Sequence, residues 1–502
     1  VSAFSGDISG LNELIAHTTT FNDYIHFRLF LHLMEEQPDF TEHPPTFAPQ
    51  LARSYEWSQD HKVVTFHLRD DVFWTDGVPV TAEDVRWTWK AQTHPDVAWE
   101  GKFLKEKITD VEVVDPHTVR FHFSQVYPAQ LIHANEGLIL PKHAWSQLPF
   151  SEWRTNNGWF TEHLVTDGPF KLESWKQDEE IVLVRNEAYY EEGLPRLDRA
   201  VFRIVPDQTS QIAQVRAGNL DFISNVPPDD AGSLEHTPGL HLKSYWGIGF
   251  IFIAWNNESP LFSDVRVRQA LTMGIDRQGI VNALWGQYAR VATSPIVDIV
   301  WAHDDRLKPW PYDPQRAREL LEEAGWKDTD GDGIRDKDGR PFRFEILNHT
   351  GNRQREDATV IAQEQLREIG VSARTRVLDI GTFIPAVFQG KYEAAVEGIT
   401  MSTDLNLRYL FHSDQIEVSF NHARYRNPQV DELIDEAYRQ KEQEDMAPYL
   451  MKIQELIHHD QPVTFLWFSK RLNVHSVRVR DVRSNLLSPW FGLRYWWIDP
   501  QR

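Results

Sequence analysis

The chain has 502 residues, 41% of them hydrophobic and 25% charged, the composition of a folded globular protein too long for one hydrophobic core. Its formal net charge of −22 repels phosphate backbones and anionic lipid, which argues against nucleic acid and membrane surfaces as partners. Cysteine is absent, and that excludes disulfides, thiolate metal sites and cysteine nucleophiles.

No apolar run reaches the length of a membrane-spanning helix. The chain starts at Val1 without a Met or a basic-then-apolar leader, so the reading is that a signal peptide has been removed. The 19 Trp and 28 Phe fill cores first. Clustered rings also suit a pocket for an organic ligand.

Taken in chain order, "HKVVTFHLRDDVFWTD" (61–76) alternates as two strands around a turn at Asp70–Asp71. "VTAEDVRWTWKAQ" opens a helix with Thr81 as N-cap and Asp84 in the capping-box position. Residues 108–123 predict a hairpin around Asp115–Pro116, and 164–186 a second strand pair. Residues 196–223 read as strand, helix from Asp207, stop at Gly218, and strand. "WGIGFIFIAWNN" (246–257) is an apolar run too short for a membrane and predicts a buried strand.

Helices then dominate. Ser263 caps one, and Asp313, Pro314 and Gly325 bracket another. Residues 355–370 form an amphipathic helix followed by the strand "VSARTRVLD", and 427–443 a further helix. "QPVTFLWFSKRLNV" (461–474) is a second apolar strand. If the two apolar strands both cross between lobes, the 200-odd residues between them are one lobe and the rest of the chain the other.

Six blocks in this order carry a resemblance. They are 51–89, "TDGPFKLESW" (166–175), 185–221, "WNNESPLFSDVRVRQALTMGIDRQGIV" (255–281), "YDPQRARELLEEAGW" (312–326) and "YRNPQVDELIDEA" (425–437). Together they resemble the family 5 extracellular solute-binding proteins of ABC importers, which include oligopeptide- and dipeptide-binding proteins. The resemblance implies an α/β, two-lobed clamshell of the periplasmic-binding-protein kind (type II-like), with an extra subdomain in lobe I. It implies lobe I from residues 1–25, 161–250 and 469–502, the extra subdomain from 26–160, and lobe II from 251–468. It further implies a monomer outside the cytoplasmic membrane, periplasmic or on its outer face. Such a protein captures a peptide by hinge closure and hands it to the permease transmembrane subunits.

In peptide-binding members a carboxylate after a Gly-Trp pair meets the ligand's α-amino group. The corresponding stretch here is "EGITMSTDLNLRYLFHS" (397–413). Ile399 replaces the Trp, the expected acid falls near Ser402, and Asp404–Leu405–Asn406 stands where the family has Asp-Pro-Asp. Either Asp404 has taken over or the anchor is absent. A buried ammonium without a carboxylate is costly, so absence favours a neutral or polar ligand. That keeps an oligosaccharide, which would stack on Trp faces, as the alternative to a peptide. Nickel or haem binding, also known in the family, and a carbohydrate-active enzyme come after these. The expected ligand-binding residues are Trp246, Phe250, Trp255, Asn256, Met401, Asp404 and Trp467, with Arg353 meeting a ligand carboxylate.

"DTDGDGIRDKDG" (328–339) has the spacing of a calcium loop: Asp328, Asp330 and Asp332, Gly333, the carbonyl of Ile334, and Asp336. Gly339 stands where a bidentate Glu belongs, and a strand follows in place of a second helix. That argues against a calcium sensor, and the choice is between a static Ca²⁺ and a solvated acidic loop. No cofactor for catalysis is expected. The sequence has no Gly-x-Ser-x-Gly, His-Glu-x-x-His or phosphate loop, and the adjacent His458 and His459 cannot face one site on a helix.

Overall fold

The computed structural model describes residues 1–16 and 20–500. The chain divides into two units. The first comprises residues 1–38, 45–245 and 471–502; the second comprises 39–44 and 246–470. Residues 39–44 differ from the expectation, which put them in the extra subdomain. Phe40 lends its carbonyl to Trp301 N–H at 3.2 Å, inside the second unit. The expected changes of lobe at 250 and 468 also shift, to 245/246 and 470/471.

In the first unit, β1 (Ser2–Phe4) belongs to the larger of its two main sheets, which two-stranded ribbons accompany. The smaller sheet holds β2 (Ala52–Trp57), β3 (Val63–Leu68), β4 (Ile108–Asp115) and β5 (Thr118–Phe123), in the order β2-β3-β5-β4. Of the two strands expected in 61–76 only β3 forms. The second reduces to a single bridge between Phe73 and Pro79, because Trp74 N–H is taken by Val78 O and Thr75 N–H by Thr166 O. Between β3 and β4, α1 (Ala82–Thr93) starts at the capping box anticipated from Thr81 and Asp84, with Thr81 N–H donating to Asp84 Oδ2 at 2.9 Å.

The larger sheet adds β6 (Phe170–Lys176), β7 (Glu180–Arg185), β8 (Arg199–Ile204) and β9 (Phe222–Ile223), in the order β9-β1-β8-β7-β6. Its core collects Phe4, Phe202, Phe222 and Trp490 around T-shaped and tilted ring contacts of 4.8–6.2 Å, the geometry aromatic pairs favour.

β10 (Leu240–Trp255) leaves the first unit and enters the second without a loop. In the second unit follow α2 (Val265–Met273), β11 (Ala289–Val291) and α3 (Pro314–Glu323). The cap of α2 is Asp264, not Ser263. Its carboxylate accepts Arg266 N–H at 2.9 Å and also holds the Arg266 guanidinium, which a serine could not do. Next come β12 (Arg343–His349), α4 (Arg353–Glu368), β13 (Ser372–Leu378), α5 (Ile380–Phe388) and β14 (Ala394–Thr400). Finally β15 (Val463–Ser476) pairs with β11 in the second unit and, through Val474 and His475, with β9 in the first unit. The order in the second unit is β13-β12-β14-β10, with β12 parallel to both β13 and β14.

Candidate functional site

The strand order of the second unit decides where its polar residues gather. From β12 the chain crosses through α4 to β13 on one side, and from β13 through α5 to β14 on the other. The direction of winding therefore reverses between β12 and β14. In open α/β sheets ligands bind beyond the carboxyl ends of the strands at such a reversal. α4 packs Ala358, Ala362 and Leu366 on one face of the sheet, in a core with Ile253, Trp255, Phe344, Ile346 and Val396. The opposite face carries Phe250, Phe252, Glu397 and Ile399, since Phe252 lies directly across from Glu397 and Phe250 from Ile399. α5 meets the end of β12, with the Phe383 and His349 rings 5.3 Å apart.

At this end stand four titratable side chains. Glu397 is 7% exposed and its Oε2 lies 2.6 Å from His422 Nδ1. Glu397 Oε1 and His422 Nε2 are buried without hydrogen-bond partners. Phe388 and Phe420 flank the His422 ring at 4.7 and 5.7 Å, which keeps water from the pair. Arg355 projects from the first turn of α4, and its Nη1 lies 3.2 Å from His349 Nε2. His349 Nδ1 faces Thr350 O at 2.9 Å. That contact demands N–H at Nδ1 and leaves Nε2 as the acceptor for arginine.

Gly398 makes room for the guanidinium: a Cβ there would run into Arg355 Nη2 and Ile251. Burial pulls Arg355 below its ordinary value while Glu397 acts in the opposite direction. Arg355 Nε is buried and unpartnered. Asn352 and Asp379 cap the N-termini of α4 and α5 beside it. The positive ends of both helices and the guanidinium thus converge where the strands end, an arrangement suited to an anionic ligand group.

The expected ligand residues separate into groups. Trp255 is 0% exposed within the core, donating Nε1–H to Thr464 Oγ1 at 3.0 Å. Trp467 is 1% exposed in the same core, 6.1 Å from the Trp285 ring. Trp255 falls on the α4 face of the sheet, and both rings are buried in the core of the second unit. Asn256 shapes the chain after β10, its Nδ2 donating to Tyr392 O at 2.9 Å. Arg353 is the first residue of α4; 80% of its side chain is exposed and it pairs with Asp357. Arg355, one half-turn on, is the arginine turned toward His349 and Gly398.

Phe250 is buried on the other face, 5.4 Å from the Phe465 ring. Met401 continues the β10–β14 pairing by donating N–H to Ile248 O. Trp246 is covered by cations, with the Arg290 guanidinium 3.9 Å and Lys470 Nζ 5.1 Å from its ring centroid. Asp404 is 2% exposed; its Oδ1 accepts Asn406 N–H at 3.1 Å and its carbonyl accepts Tyr438 O–H at 2.9 Å. It builds the turn in which Leu405 takes φ +52°.

Sequence reasoning missed Glu397, His422 and His349. One signal was present: Glu397 is the single acid in "AAVEGIT", a strand otherwise of apolar, Gly and Thr residues.

In the acidic loop, Asp328, Asp330 and Asp332 offer carboxylate oxygens within 4.8 Å of one another, all exposed. Asp336 is outside that group, because its carboxylate takes Thr329 N–H at 3.0 Å and Thr329 O–H at 2.7 Å. Ile334 donates N–H to Asp332 Oδ1, and Arg343 pairs with Asp332 Oδ2 at 2.9 Å.

Compared with known proteins, residues 46–415 match the profile of "Bacterial extracellular solute-binding proteins, family 5 Middle". The chain belongs to that family. Family 5 proteins are binding proteins rather than enzymes, and among the described residues of this one no helix is long and apolar enough to cross a membrane. The chain is similar to the oligopeptide-binding protein AppA of Bacillus subtilis, 30% identical over 438 residues that cover 86% of this chain and 80% of AppA. It is also similar to the glutathione-binding protein GsiB of Salmonella typhimurium, at 29% identity, 85% of this chain and 81% of GsiB. The solved structure of B. subtilis AppA in complex with a nonapeptide matches with a TM-score of 0.84 and 28% identity, covering 99% of this chain and 98% of AppA. The mixed α/β fold is thus the family 5 fold over the whole chain.

Proposed function

We propose that this family 5 protein captures an oligopeptide or dipeptide outside the cytoplasmic membrane and delivers it to an ABC permease. The observation that carries the reading is Arg355: a half-buried guanidinium with a buried, unpartnered Nε, held by His349 over Gly398 at the winding reversal of the sheet. A peptide's terminal carboxylate has the charge and the two acceptor oxygens that such a donor takes. The likeness to an oligopeptide-binding relative over most of the chain supports the same class. The oligosaccharide alternative has less support, because Trp255 and Trp467 are core residues and cations cover Trp246.

Mass spectrometry of molecules released from the purified protein by mild denaturation tests the reading. Peptides are the expected result; a co-purifying sugar or metal complex with no peptide would overturn it. A structural Ca²⁺ held by Asp328, Asp330 and Asp332 is a separate proposal, narrowed from the five residues first considered.

A further inference from the structure

His349 ends β12 and Arg355 lies in the first turn of α4, yet one chain of polar contacts fixes the backbone of both. His349 N–H donates to Asn348 Oδ1 at 2.8 Å, Asn348 Nδ2 to Thr359 Oγ1 at 2.9 Å, and Thr359 O–H to the Arg355 carbonyl at 2.6 Å. Asn348 and Thr359 are buried, where a broken hydrogen bond leaves an unsatisfied group at full cost. Thr350, whose carbonyl takes His349 Nδ1–H, is itself anchored by donating N–H to Leu378 O at 2.9 Å. Phe383 of α5 packs edge-on against the imidazole. The lone pair on His349 Nε2 is therefore presented at a fixed place.

The long arginine side chain carries much rotamer freedom, and its planar fork matches a carboxylate only when it is correctly aimed. Here both terminal nitrogens are located by the protein: Gly398 leaves the room that Nη2 fills, and His349 Nε2 accepts from Nη1. We infer that His349 is a positioning residue for the ligand carboxylate, one that aims the Arg355 guanidinium before the ligand arrives and acts only through it. The inference rests on the peptide reading above and deepens it. Rotamer freedom lost on folding is not lost again on binding, so the arrangement strengthens the carboxylate contact without adding one.

The test takes a peptide recovered from the purified protein, synthesised as the free acid and as the C-terminal amide, and titrates both calorimetrically. The parent should prefer the free acid. His349→Phe keeps a ring against Phe383 and removes the acceptor. It should cut that preference about tenfold, the worth of one hydrogen bond to a charged group, and leave the affinity for the amide unchanged. His349→Gln, whose side-chain carbonyl can stand in for Nε2, should retain most of the preference. In an Arg355→Ala background, His349→Phe should change nothing further. His349→Leu, also without an acceptor, repeats the test should the Phe variant not fold. Five results would each overturn the inference and leave the peptide reading standing: a parent indifferent to amidation, an unchanged preference in the Phe or Leu variant, equal losses for acid and amide, a Gln variant as impaired as Phe, or a further loss in the Arg355→Ala background. Recovery of no peptide, or failure of both forms to bind, would overturn both.

Discussion

Arg353 and Arg355 are two positions apart on one helix, yet one lies in solvent and the other is half-buried against His349 and Gly398. A 3.6-residue repeat turns side chains two apart to opposite sides of the axis, so the choice between them depended on which side of α4 meets the strand ends. That was illegible without the sheet order. Arg355→Ala is expected to weaken binding of peptides with a free C-terminus by about ten- to a hundredfold, the worth of hydrogen bonds to a charged group. Amidated peptides should lose little, and titration of both forms against parent and variant measures the difference. A second residue-scale prediction concerns Glu13, whose Oε1 accepts Leu138 N–H at 2.7 Å. Burial pushes its carboxyl up to about 8 from an ordinary 4.5. Folded Glu13 then keeps a proton that the unfolded chain has released, so its contribution is complete below pH 4.5 and lost as pH rises through about 8. Glu13→Gln keeps the acceptor and removes the titration. Melting temperatures across that window should fall less steeply for the variant than for the parent; parallel curves would refute the assignment.

The elements show what local patterning carries and what it does not. Caps with strong chemistry were legible: Thr81 with Asp84, Asp207, Asp313 with Pro314, and Asn427 all start helices in the structure. The helix α5 was not anticipated at all. Gly381 and Pro385 interrupt "IGTFIPAVF", and local propensity there argues against a helix that Asp379 nevertheless caps. β10 begins at Leu240, six residues ahead of the expected strand, because "LHLKSY" is too polar to extend an apolar run by composition. The acidic loop was legible as a set of carboxylates but not as a geometry, since the diversion of Asp336 to Thr329 is a property of the folded turn. For the Ca²⁺ proposal, Asp330→Ala is expected to lower the melting temperature only with Ca²⁺ present. Identical melting of the parent with and without Ca²⁺ would dismiss the ion.

At the scale of the molecule, the family resemblance identified the fold from six dispersed blocks, whereas the residues of the candidate site escaped it because each depends on contacts far apart in sequence. A ligand that binds only the folded chain stabilises it by mass action, about 2.7 kcal/mol at a hundred times Kd. Saturating cognate peptide should therefore raise the melting temperature in a concentration-dependent way, and a melting curve indifferent to peptide would count against capture. With a net charge of −22, the comparison must be made at constant ionic strength, since salt screens self-repulsion by itself.

The passage of the chain between units inside β10 and β15 has one more effect. Residues 246–470 form an unbroken insertion, and the two stumps it leaves in the first unit, at Tyr245 and Arg471, are tied together nearby: Asn473 Nδ2 donates to the Tyr245 hydroxyl oxygen at 3.0 Å. A tight turn spliced between those stumps would excise all of the second unit but residues 39–44 and leave the first unit its own aromatic interior, a shortcut for assigning spectra and stability to that half.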